Sequence, residues 1–141
     1  MKKFIILAIA VFLVVLIYRG WGSGADESAS VTPITIALAA QNRSGEIGQA
    51  VITEVDGQVK VALTITGGPT GVSQPAHIHY GRCATLGEPV YALSPVTDGV
   101  SDTTLTASLI ALKSSLPLAI NVHKSVADLA TYVACGDIVL K

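Results

Sequence analysis

From Gln58 to Thr66 every second residue is apolar: Val59, Val61, Leu63 and Ile65 alternate with Lys60, Ala62, Thr64 and Thr66. A repeat of two sends neighbouring side chains to opposite faces of an extended chain, whereas a helix would scatter them around its axis. The run predicts a β-strand with one buried and one solvated face, which needs a sheet and a second layer to cover it. Asp56-Gly57, just before it, is a two-residue hairpin signal and makes Ile47 to Val55 the antiparallel partner. The alternation recurs with Ile34, Ile36 and Leu38 in Thr32 to Ala40, and with Ala76, Ile78 and Tyr80 in Gln74 to Arg82. It returns with Leu118, Ile120 and Val122 in Leu118 to His123. Pro89 to Leu93 reads as a short strand and Tyr132 to Leu140 as the last one. Ser101 to Leu112 reads either as a strand or, from Ala107, as a helical turn. Turn residues at Asn42 to Gly45, Gly67-Gly68-Pro69 and Asp98-Gly99 separate the runs. Seven or eight short strands without α/β alternation predict an all-β fold, an antiparallel Greek-key β-sandwich or barrel.

The first part of the chain differs. Lys2 and Lys3 precede a run from Phe4 to Tyr18 without a charged residue, and Arg19 ends it. Such a charged start and apolar core form an export signal, either retained as an anchor or cleaved. Fifteen helical residues span roughly 22 Å, and Gly20, Trp21 and Gly22 extend the segment toward a membrane crossing. Residues 1–22 are therefore expected to be a signal anchor or transmembrane helix, with Ser23-Gly24-Ala25 offering a cleavage pattern. Residues 23–30 are expected to be a linker and 31–141 the folded domain. Lysines before the run and one arginine after it place the domain outside the cytoplasm. That location is a single-pass membrane protein facing the periplasmic or extracellular side, or a secreted one if the signal is cut.

The folded part carries six Lys and Arg against eight Asp and Glu, a formal charge of −2. No basic patch exists to neutralise phosphates, so nucleic acid is not an expected partner. The two cysteines, Cys83 and Cys135, are expected to pair in an exported domain, the alternatives being free thiols or metal ligands. All three histidines lie on predicted strands, opposite the apolar face: His77 and His79 on one, His123 on another. If those strands meet, three imidazoles converge on a site suited to copper or zinc, with copper the tighter binder. If they do not, they are three solvated side chains.

Pro75-Ala76-His77-Ile78-His79-Tyr80-Gly81-Arg82-Cys83 resembles the HxH segment of the Cu/Zn superoxide dismutase family, which a disulfide cysteine follows. Asn121-Val122-His123-Lys124-Ser125, Asp128-Leu129 and Ala134-Cys135-Gly136-Asp137-Ile138 resemble that family's C-terminal end, where a VH pair carries a copper ligand and an ACG the partner cysteine. The resemblance implies an eight-stranded Greek-key barrel, copper ligands His77, His79 and His123, and a Cys83–Cys135 disulfide. The chain also departs from the family. It has no histidine between His79 and His123 to bridge copper to zinc, and Asp98 and Asp102 do not make a zinc site, so zinc is not expected. Tyr132 stands where the family has its active-site arginine, which attracts and orients the superoxide anion. Arg82 and Lys124 are the nearby cations that could replace it, or else ordinary surface charges. Chordin-type (CHRD) domains offer a second resemblance, with AHIH-like and NVH-like segments on a related sandwich, and are not usually known as enzymes. The expectation is a membrane-anchored, extracytoplasmic, dismutase-like domain binding one copper, with weak or no dismutation. The alternative is a metal-free, CHRD-like structural or binding domain of the cell envelope.

Overall fold

The computed structural model describes residues 32–140, and the expected anchor and linker lie outside the described residues. Within the described residues the chain forms eight strands and one short helix. The strands are β1 (Ile34–Ala40), β2 (Ile47–Val55), β3 (Gln58–Thr66), β4 (Gln74–Arg82), β5 (Thr85–Val96), β6 (Val100–Leu105), β7 (Leu118–Ser125) and β8 (Asp128–Ile138); the helix α1 (Leu109–Ser114) lies between β6 and β7. All pairings are antiparallel, and the strand order is β5-β4-β7-β8-β1-β2-β3-β6. β3 thus lies beside β6 and β4 beside β7, so chain neighbours are not always sheet neighbours. This is the Greek-key arrangement the turn pattern predicts.

The Asp56-Gly57 turn joins β2 and β3 with Val55 opposite Gln58, both turn residues having positive φ (52° and 74°) as a two-residue hairpin demands. β1 changes partner along its length. Ile34 to Leu38 pair with β2, and Ala39 and Ala40 pair with Ala134 and Cys135 of β8. Gly136 permits that crossing, because a Cβ there would collide with the carbonyl of Ala37. β1 thereby links a half made of β1, β2, β3 and β6 to a half made of β5, β4, β7 and β8. The outer edges, β5 and β6, are fastened mainly by side chains. Ser94 N donates to Thr103 Oγ1 (2.8 Å), Ser94 Oγ to the Asp102 carbonyl (2.8 Å) and Ser101 Oγ to the Ser94 carbonyl (2.6 Å). The sheet is therefore almost closed into a barrel.

Inward residues of the two halves form one core, with Ile52, Leu63, Ile78, Leu118 and Ile120 almost fully buried. The segment Ser101 to Leu112, ambiguous in sequence, divides between β6 and the helix, which runs on to Ser114. Ser108 caps it by accepting from Ala111 N, and Leu112 is its buried residue. β5 begins four residues earlier than the expected short strand, at Thr85 instead of Pro89. It passes Pro89 at an irregularity in the β4–β5 ladder, opposite His79; proline lacks an N–H, so a bulge tolerates it.

Candidate metal centre

Antiparallel pairing of β4 and β7 sets His77 opposite Asn121 and His79 opposite Ala119, which carries His123 to the same outward face. The ring centroids lie 5.0 Å apart for His77 and His123, 5.7 Å for His77 and His79, and 6.1 Å for His79 and His123. One nitrogen from each ring falls within 4.8 Å of the others. Nitrogens bound to one ion at about 2.0–2.1 Å cannot be more than about 4.2 Å apart. The three are thus grouped for an ion, and bringing the widest gap to the spacing of about 3.4–3.6 Å that donors at about 110–120° keep needs a closure of about 1.2–1.4 Å.

The backbone selects which nitrogen each ring offers. His79 Nδ1 donates to the Gly87 carbonyl (2.9 Å), and His123 Nδ1 donates to the Leu129 carbonyl (2.6 Å). A carbonyl only accepts, so both rings carry a proton on Nδ1, and in the neutral ring the lone pair is on Nε2. His79 Nε2 is buried and has no hydrogen-bond partner. A buried acceptor left unbonded is costly, and a cation would satisfy it. His77 faces the cluster with Nδ1, which donates to the His123 Nε2 lone pair at 3.0 Å, so an ion entering the site takes the place of that proton. Burial, followed by the neighbouring His123 and His79, lowers the His77 pKa, which favours the neutral, metal-ready ring.

The site is roofed by the chain that leaves β4. Cys83 forms a disulfide with Cys135 on β8, with Cα atoms 5.8 Å apart, and Cys83 N donates to Asp137 Oδ1 (2.7 Å). The alternatives of free thiols or cysteine ligands are thereby excluded. These ties hold the hairpin that delivers the Gly87 carbonyl. His79 and His123 are 5 % and 6 % exposed, so histidines expected on a solvated face are in fact enclosed. The disulfide ties the end of the β4–β5 hairpin to β8 at Cys135, opposite Asn121, and β5 brings the Gly87 carbonyl against His79.

Arg82 pairs with Asp137 (3.4 Å) and Lys124 with Asp128 (3.5 Å), so both cations have carboxylate partners. Tyr132 packs its ring against His123, with centroids 5.2 Å apart. The Gly87 and Leu129 carbonyls were not readable in sequence, because backbone acceptors leave no residue signature; Tyr132 was read only as the position of a missing arginine, and its ring contact follows from its place opposite His123 in the β7–β8 ladder. A groove of about 880 Å³, where β1 and the end of β8 part, is lined by Ile34, Ile36, Leu109 and Val139 among others and contains no histidine. Among the described residues, no helix is long and apolar enough to cross a membrane. Comparison with protein-family models, curated proteins and solved structures returned no match.

Proposed function

We propose that this domain binds one copper ion through His77 Nδ1, His79 Nε2 and His123 Nε2, on a scaffold of the Cu/Zn superoxide dismutase type held outside the cytoplasm by residues 1–22. The observation that carries the reading is the buried, unpartnered His79 Nε2 beside two further imidazole nitrogens. Copper is favoured because the donors are neutral imidazoles without thiolate, for which it stands highest among the divalent first-row metals. An oxidising compartment is supported by the disulfide.

Bound copper would supply one-electron chemistry. The protein's share is to hold three imidazole nitrogens together, with the His77 Nδ1 proton leaving as the ion binds, and to restrict water at His79 and His123. Dismutation is expected to be weak or absent. No histidine lies between His79 and His123 to act as a bridging ligand, and a neutral Tyr132 stands in place of a guiding arginine. The paired Arg82 and Lys124 leave little positive field to draw in an anion.

The test is metal analysis and copper titration of the full chain produced without affinity histidines. One copper per chain, lost in H77A, H79A and H123A, is the expected result. No copper, or copper retained when all three are replaced, would sink the reading and leave a metal-free envelope domain. Dismutation by the loaded chain near the ceiling of about 10⁹ M⁻¹s⁻¹ would overturn the expectation of weak turnover.

A further inference from the structure

Two residues before His123 on the same face of β7 stands Asn121. It is 0 % exposed, and its amide oxygen Oδ1 has no hydrogen-bond partner. Its neighbours across the sheet are His77 on β4 and Cys135 on β8. Its Nδ2 lies 3.5 Å from His123 Nε2, the atom that also stands 3.0 Å from His77 Nδ1. A fully buried amide with an idle oxygen beside three convergent imidazoles calls for an explanation within the site.

Two donors sharing an ion at about 2.0–2.1 Å lie about 3.4–3.6 Å apart when they subtend about 110–120° at it. The Asn121 amide already keeps that spacing from His123 Nε2. The amide's nitrogen and oxygen nearly exchange places in a half-turn about its last torsion. Without an ion, Nδ2–H makes a long second contact to His123 Nε2, whose lone pair His77 Nδ1 meets more closely. An ion bound to that lone pair removes the contact and repels the N–H, and the same half-turn then presents Oδ1 to the cation.

We propose that Asn121 is the fourth donor of the site, bonding the ion through its amide oxygen; this rests on the three-histidine copper reading. Three imidazoles and an oxygen make the N,O surroundings that divalent copper prefers. Asn121 therefore biases the site toward the oxidised ion, whose affinity it raises more than that of Cu(I).

The experiment compares the full wild-type chain with N121V and N121D by electron paramagnetic resonance and by competition titration with Cu(II) and Cu(I). In N121V, Cu(II) affinity should fall about ten- to a hundredfold, with Cu(I) affinity unchanged and the copper hyperfine coupling altered. In N121D an anionic oxygen takes the same place, so Cu(II) affinity should rise. If N121V does not fold, N121D alone decides, and a wild-type spectrum and affinity there overturn the proposal. A folded N121V that matches wild type in spectrum and affinity also overturns it, while the histidine site stands. A wild-type chain that holds no copper ends both readings.

Discussion

β3 and β7 are both interior strands of the sheet, but they use their outward faces differently. On β3 the inward Val59, Val61, Leu63 and Ile65 are buried while Lys60, Thr64 and Thr66 remain in water. On β7 six consecutive residues, Leu118 to His123, are buried. Leu118, Ile120 and Val122 belong to the core, whereas Ala119, Asn121 and His123 are buried on the opposite side. On that side their neighbours are the imidazoles of β4 and the disulfide that ties the end of the β4–β5 hairpin to β8. Polar side chains are enclosed there with most of their groups partnered by one another and by backbone carbonyls, while His79 Nε2 and Asn121 Oδ1 have no partner.

The strongest way to break this contrast is to cut the tie that only the β7 half possesses. The Cys83–Cys135 disulfide spans 52 residues. The double variant C83S/C135S should lose about 4 kcal/mol from a stability of order 5–15 kcal/mol, measured by denaturant unfolding. Its hydrogen exchange should rise first in β7 and around Gly87, with β2 and β3 protected longer; a uniform rise would mean the roof is not a separate feature.

A smaller effect compares the outward faces directly. Ala119→Leu pushes a larger side chain under the roof and should cost about 1–3 kcal/mol. Thr64→Leu, on the open face of β3, should stay within about 0.5 kcal/mol. Equal costs would erase the distinction between the two strands.

The smallest effect is in acid. Burial, then His123 and His79, hold the His77 pKa below the ordinary imidazole value. The unfolded chain therefore takes up a proton near pH ~6.5 that the folded chain resists until lower pH. The associated stability is present above about pH 6.5 and declines as pH falls through the folded value. Metal-free protein should melt at a lower temperature at about pH 5.5 than at about pH 7.5, and H77Q should flatten that difference. An unchanged slope in H77Q would show that the enclosed cluster does not resist protonation.

Much of the fold was legible because burial on one face leaves a period of two. The Gln58–Thr66 strand and its Asp-Gly turn were readable to the residue. The early start of β5 was not, since Gly87, Glu88 and Pro89 resemble a chain break and only the bulge opposite His79 shows why they extend a strand. The ambiguity after Ser101 resolved into β6 and a helix through the Ser108 cap, a signal that was present but competed with the threonine-rich start. In the candidate site the three histidines and both cysteines were nameable from spacing and resemblance. Asn121 escaped notice because an asparagine on an outward strand position ordinarily meets water.

The order of residues determined the all-β class, the inward face of each long strand and the presence of the imidazoles on one side, because side-chain direction along an extended chain depends only on position parity. Strand adjacency was decided elsewhere. β4 lies against β7 rather than β3, which brings His123 beside His77, and that choice depends on how distant segments pack around a shared core. The same packing enclosed Asn121 and left His79 Nε2 without a partner, since burial belongs to neighbours brought together in space.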